Sequence, residues 1–221
     1  IRTENRREAF SVKGWKLIWL AVSLASLCAC GGEEVKTAIP AKPVIYLYPE
    51  KTAEVSVELR YQGELTSTWP EYGDGWTVTA RPDGTLTDRA GHEYSYLFWE
   101  GKSDTEYDLS EGFVVPGEET GDFLRCTLSA LGLTPREYNE FIVYWLPQME
   151  GNAYNLISFQ GEAYTDTAEL VITPEPDALL RVFMAWAPLK DPVEVPPQEL
   201  EPFTREGFTV VEWGGAEVSV P

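Results

Sequence analysis

Three cysteines, two methionines and one histidine in 221 residues leave little material for thiol or imidazole chemistry. A zinc site of the histidine-rich kind needs several imidazoles or thiolates, and His92 stands alone, so such a site is excluded. Ser/His/Asp or Cys/His catalysis would have to recruit His92 with a serine or with Cys126. His92, between Gly91 and Glu93, reads more simply as a polar residue at the start of a strand. Cys126 falls among the apolar positions that follow Leu124, which predicts a small buried hydrophobe, not a nucleophile. No Gly-x-Ser-x-Gly, phosphate-cradling glycine loop or dinucleotide fingerprint occurs, and no cofactor is expected. Basic residues are also few: 17 Lys and Arg stand against 36 Asp and Glu, a net charge of −19. That balance repels phosphate backbones, so nucleic-acid binding is not expected. A long hydrophobic span is missing too. The apolar run from Leu17 to Ala29 reaches only about 20 Å as a helix, against the roughly 30 Å of a hydrocarbon core.

That short run has another use. Arg2, Arg6, Arg7, Lys13 and Lys16 precede it, and Leu27-Cys28-Ala29-Cys30 closes it. A basic segment, a short apolar segment and small residues before a cut are the parts of an export signal. Leu27-Cys28-Ala29-Cys30 resembles the lipobox of bacterial lipoproteins. Cys30 fits the lipidated position, with Ala29 directly before it and Leu27 three residues before. Cys28 fits poorly, because Leu27 is too bulky for the preceding site. The resemblance implies cleavage before Cys30 and acylation of its thiol, with two or more chains giving a stable hold on a bilayer. The lipid bilayer is then a partner, and the address is the extracytoplasmic face of a bacterial cell membrane or outer membrane. With Ile1 rather than Met at position 1, the true start is expected upstream. Cleavage would leave a net charge of −22. Cys126 would have no disulfide partner, so core burial alone must hold the domain together.

Residues 1–29 are thus expected to be a leader, 30–43 a lipidated cysteine and tether, and 44–221 one domain. The continuous apolar run Val44-Ile45-Tyr46-Leu47-Tyr48 predicts a central strand buried on both faces. Val55, Val57, Leu59 and Tyr61 alternate with polar residues, as in a half-buried strand. Pro82-Asp83-Gly84 has the chemistry of a hairpin turn between residues 76–80 and 85–88. Further strands are expected over 93–99, 112–115, 155–160, 168–173, 179–186 and 207–213. Phe123, Leu124, Leu128 and Leu131 recur at helical spacing, and Gly132 suits a C-terminal cap. Thr134-Pro135-Arg136-Glu137 is a capping box opening a second helix, which Pro147 is expected to end. Residues 193–202, rich in Pro and Glu, read as an extended surface loop. The fold class expected is α+β, a mostly antiparallel sheet domain with an inserted pair of short helices.

Four phrases carry a second resemblance: Lys42 to Pro49, Tyr96 to Gly101, Glu140 to Pro147 and Gly207 to Gly215. Together they resemble a family of exported bacterial proteins, often lipoproteins, that open with a KPVIYLYP-like strand. The resemblance implies export and a single domain, with no catalytic residues to carry over.

Two of these phrases place a glutamate beside a tryptophan, Trp99-Glu100 and Glu212-Trp213. Neighbours on a strand point to opposite faces, so a core tryptophan sends its glutamate to solvent or to another layer. The alternative is a polar site in which Glu100 and Glu212 converge near Tyr96. These are the candidate carboxylates of a glycosidase-like hydrolase acting on an envelope polymer. The ligand-binding candidates are Tyr96, Trp99, Glu100, Trp145, Glu212 and Trp213. Asp104 to Asp108 and Asp83 to Asp88 lack the calcium-loop pattern and read as solvated turns, so no metal is expected. The leading expectation is a membrane-tethered, non-enzymatic domain that binds a ligand or partner on the cell envelope, with glycan or peptide as ligand classes. The hydrolase and a purely structural envelope lipoprotein are the alternatives.

Overall fold

A computed structural model describes residues 41–219. The expected leader, Cys30 and the tether up to residue 40 lie outside the described residues. No helix among the described residues is long and apolar enough to cross a membrane.

The domain is α+β and has three layers: a helix pair, a seven-stranded sheet and a five-stranded sheet. An inner strand of the large sheet is β1 (Ala41–Tyr48), flanked by β7 (Leu97–Lys102) and β12 (Thr209–Glu217). Beyond β7 lies the edge strand β3 (Glu64–Trp69). Beyond β12 lie β11 (Ala178–Leu189), β9 (Tyr154–Gln160) and the far edge β8 (Phe113–Pro116). The small sheet runs β10 (Ala168–Thr173), β2 (Ala53–Tyr61), β4 (Trp76–Ala80), β5 (Leu86–Thr87) and β6 (Glu93–Tyr94).

The continuous apolar run of β1 follows from this layering. Ile45 and Leu47 enter the core between the sheets, while Val44 and Tyr46 enter the core beneath the helices. A strand covered on both faces has no polar side to alternate with. Strand β2, in the small sheet with one face to solvent, alternates instead: Val55, Val57 and Leu59 are buried, and Glu54, Glu58 and Arg60 are exposed.

The two longer helices are α1 (Thr120–Ala130) and α2 (Pro135–Met149); a single turn, α3 (Glu162–Thr165), joins β9 to β10. Gly132, at φ 101°, ends α1, with Leu133 N–H donating to Leu128 O and Gly132 N–H to Ser129 O. This is the Schellman arrangement, which favours glycine at the left-handed position. Two residues later the Glu137 carboxylate accepts the Thr134 N–H at 2.7 Å and closes the capping box.

Every ladder in the large sheet is antiparallel except that between β11 and β12. The proline-rich segment 190–208 makes this parallel crossover without a helix. Gln198, Pro196 and Arg205 fasten it. The Gln198 side-chain amide donates to Phe159 O and accepts Phe159 N–H, imitating a strand partner. Pro196 O accepts Gly112 N–H. Arg205 donates to Gly132 O and to the buried Glu137 carboxylate.

Five expectations need correcting. Residues 93–99 do not form one strand: a bend at Ser95–Tyr96 carries the chain from the small sheet (β6) to the large one (β7). The first strand begins at Ala41, so Lys42 and Pro43 belong to the sheet and not to the tether. Pro147 lies inside α2 and does not end it. The bond it cannot make would go to Val143 O, in the last turns of the helix, and Val143 is 75% exposed, so water can serve that carbonyl. Cys126 is exposed, because two residues beyond Leu124 is about 200° around a helix, on the opposite face. Finally, β3 was not expected. Its side chains are mostly exposed and carry little apolar alternation, as suits an edge strand.

Candidate functional site

Strand β7 sorts its side chains as a pleat requires. Leu97 and Trp99 enter the core between the sheets, while Phe98 and Glu100 face the helix side, in line with Tyr96 just before the strand. There they line an open groove of about 290 Å³ with Lys42, Trp69 and Tyr144.

Each wall has its own origin. Trp69, at the end of edge strand β3 and opposite Phe98 in register, is 63% exposed. Its ring meets Tyr94 edge-on at 6.0 Å. Tyr96 stands edge-on to Tyr46 at 5.4 Å, and the Tyr46 hydroxyl donates to Glu140 at 2.8 Å. Tyr144 comes from α2 and packs edge-on against the buried Trp145 at 4.9 Å. Burial first, and then the Glu100 charge, push the Tyr144 hydroxyl above its ordinary pKa, so it stays a neutral donor.

Lys42 is placed by a backbone irregularity. The ladder between β1 and β12 slips between Ala41 and Val44, and Lys42 adopts φ 54°, the left-handed region. For a lysine that conformation costs on the order of 1–3 kcal/mol, and bulges of this kind commonly re-aim a side chain. Gly214 on β12 makes room for it: a Cβ there would stand 3.0 Å from Pro43 Cα. The Lys42 ammonium ends 4.9 Å from the Tyr144 ring centre and 5.6 Å from that of Trp213. Burial lowers its pKa, and the Glu140 charge partly opposes the shift. Its backbone N–H makes a long bond of 3.4 Å to Glu100 Oε1.

A second polar cluster lies on the other face of the sheet. Glu212, 0% exposed, accepts the Trp99 indole N–H at 3.1 Å and the Arg181 Nε–H at 2.6 Å. The guanidinium rests 4.8 Å from the Tyr164 ring centre. Arg181 Nη2 and the Tyr164 hydroxyl are buried without hydrogen-bond partners.

Of the residues expected to form a site, the structure brings Tyr96 and Glu100 together in the groove. Trp99 and Glu212 meet instead in the core between the sheets, and Trp145 and Trp213 lie in the core beneath the helices. Trp213 reaches the groove only as the ring beneath Lys42. Glu100 and Glu212 do not converge, since they occupy opposite faces of the sheet. Alternation sends Glu212 to another layer and not to solvent: Trp213 and Glu212 are both at 0% exposure, in different cores. Lys42, Trp69, Phe98 and Tyr144 were missed. The positive charge of Lys42 directly before an apolar strand was a usable signal, whereas the exposure of Trp69 had none. Among the described residues no group of three or more His, Cys, Asp or Glu is placed to hold a metal.

A protein of Butyrivibrio fibrisolvens, described as an uncharacterized protein in the bglA 3′ region, is 43% identical to this chain over 88 residues. The match covers 91% of that protein and 38% of this chain. The chain belongs to that protein's family. No family model matches the chain, and no solved structure matches it. The relative's description states no activity, so the groove itself must supply the chemistry.

Proposed function

We propose that this protein is a lipid-anchored, extracytoplasmic domain of the bacterial envelope that binds a glycan in the groove, without turnover. The observation that carries the binding reading is the 63% exposed Trp69 beside Tyr96, Phe98 and Tyr144, with one ammonium and one carboxylate among them. Exposed aromatic planes offer an apolar face to a ring, while Lys42 and Glu100 supply a donor and an acceptor to orient it. A two-carboxylate hydrolase would need a second acid across the ring, and Glu212 faces the opposite layer. The lipobox-like Leu27 to Cys30 and the resemblance to exported proteins support the anchor and the address.

The binding reading is tested by adding detergent-solubilised full chain to purified envelope polysaccharide. Trp69→Ala should weaken retention by about tenfold or more, and retention equal to wild type would overturn the groove as the site. The anchor is tested separately: Cys30→Ser should release the protein from membranes, and retention in an uncleaved form would overturn lipidation.

A further inference from the structure

Charge pairing in this domain leaves one informative remainder. Arg60, Arg81, Arg125, Arg136, Arg181 and Arg205 each have a carboxylate within 4 Å. Among the described residues, Lys42 is the half-buried cation whose ammonium has none; the others without one, such as Lys51 and Lys102, are exposed. The cause is not a shortage of acid in a chain of net charge −19. Both neighbouring carboxylates are engaged elsewhere. Glu100 turns Oε1 toward the Lys42 backbone N–H. Glu140 accepts the Tyr46 hydroxyl and lies 3.8 Å from Arg136. A left-handed backbone at a bulge, with Gly214 cleared to admit it, holds the ammonium on two aromatic rings at the side of an open groove.

Building on the glycan-binding reading, we infer that the groove is selective for acidic saccharides, with Lys42 receiving the carboxylate of a uronic-acid residue. The ring would lie against Trp69 and Phe98, and its hydroxyls would donate to Glu100, which can only accept when ionised. A carboxylate suits the site better than a phosphate. Lys42 is a single point charge without an arginine fork beside it, and a dianion would meet Glu100 in the same groove. The acidic surface opposes approach of such a ligand from a distance, but screening over about 8 Å at physiological ionic strength leaves the contact pair to decide affinity. The same surface rejects acidic polymers everywhere except where this cation is free, which makes the groove selective.

The test uses full chain in detergent micelles and calorimetric titration with trimers of galacturonate, glucuronate and mannuronate, each beside its methyl ester. Esterification keeps the rings and removes the charge. At least one acid should bind about tenfold more tightly than its ester. Lys42→Gln, which has the same backbone demand, should abolish that preference by weakening the acid far more than the ester, and Lys42→Arg should retain it. Trp69→Ala should weaken acid and ester alike. Equal binding of acid and ester, or a preference that survives Lys42→Gln, would overturn the acidic selectivity while leaving the groove as a glycan site. Binding that Trp69→Ala does not change, or no binding by any acid or ester, would overturn both. Circular dichroism of each variant separates a lost site from a lost fold.

Discussion

The large sheet carries a charged cluster on each face, and the two are built in opposite ways. Between the sheets, Glu212 is closed in by Arg181 and Trp99, out of reach of solvent. Beneath the helices, Lys42 sits on rings at the side of a groove, without a carboxylate within 4 Å. An ion pair closed off from solvent specifies how layers fit together and is out of a ligand's reach. A half-buried cation without a partner adds little to stability and is available to an incoming anion. Under the proposed function the two faces divide the work, structure on one and recognition on the other, although both clusters draw on neighbouring positions of β12, Glu212 and Trp213.

Breaking the closed cluster should have the largest effect on stability. Arg181→Met leaves Glu212 buried and unpaired, a loss of about 3–5 kcal/mol in urea unfolding. The double variant Arg181→Met with Glu212→Met should recover most of it, because two apolar side chains can replace a buried pair. A double variant as unstable as the single would show that packing, not charge, was lost.

Gly214→Ala probes the link between the faces. The new Cβ meets backbone at 3.0 Å, so β1 must shift, at a cost of about 1–3 kcal/mol. Because the shift falls on the bulge that aims Lys42, glycan retention should fall as well. An unchanged melting temperature would mean that the strands have slack at this point.

A smaller, local effect is expected from pH. Asp88 accepts the N–H groups of His92 and Ala90, the Tyr94 hydroxyl and the His92 ring, and the His92 backbone bond leads in lowering its pKa. A depressed carboxyl stabilises the fold above its unfolded value of about 3.9, and that contribution is lost as pH falls toward the folded value. Amide protection in residues 88–94, taken relative to the intrinsic exchange rate at each pH, should therefore fall in acid before the rest of the domain loosens. Uniform exchange with the core would refute a local role.

Trp69→Ala should cost least in stability, within about 0.5 kcal/mol, since the ring is mostly exposed on an edge strand. Its expected loss of glycan retention would complete the contrast: large stability effects without a site on one face, and a site with almost no stability effect on the other.

Much of the frame was legible because it rests on local rules. The two-sided burial of residues 44–48 showed in an unbroken apolar run, and the alternation at 55–61 showed a strand with one wet face. Thr134 to Glu137 and Gly132 announced their caps through side-chain and backbone chemistry that acts within a few residues. Cys126 shows the limit of judging burial by apolar neighbours, since helical phase, not proximity in sequence, decides the face. The site was legible only in part. Tyr96 and Glu100 were named as neighbours and meet in the groove, whereas Trp99, Trp145 and Trp213 look like ligand platforms by composition and are core by position. Trp69 could not be told from them, because its exposure comes from lying on a sheet edge.

By itself the sequence determined the α+β class, the helix pair and its caps, an inner strand buried on both faces and the acidity of the chain. Each depends on periodicity, capping chemistry or charge, which neighbouring residues settle among themselves. Tertiary structure decided that Glu100 and Glu212 part company across a sheet, that Glu212 finds Arg181, and that Lys42 meets Tyr144 across about a hundred residues. Those outcomes depend on which strands pair, on where a register slips, and on the absence of a Cβ at Gly214, and no short window of sequence contains them.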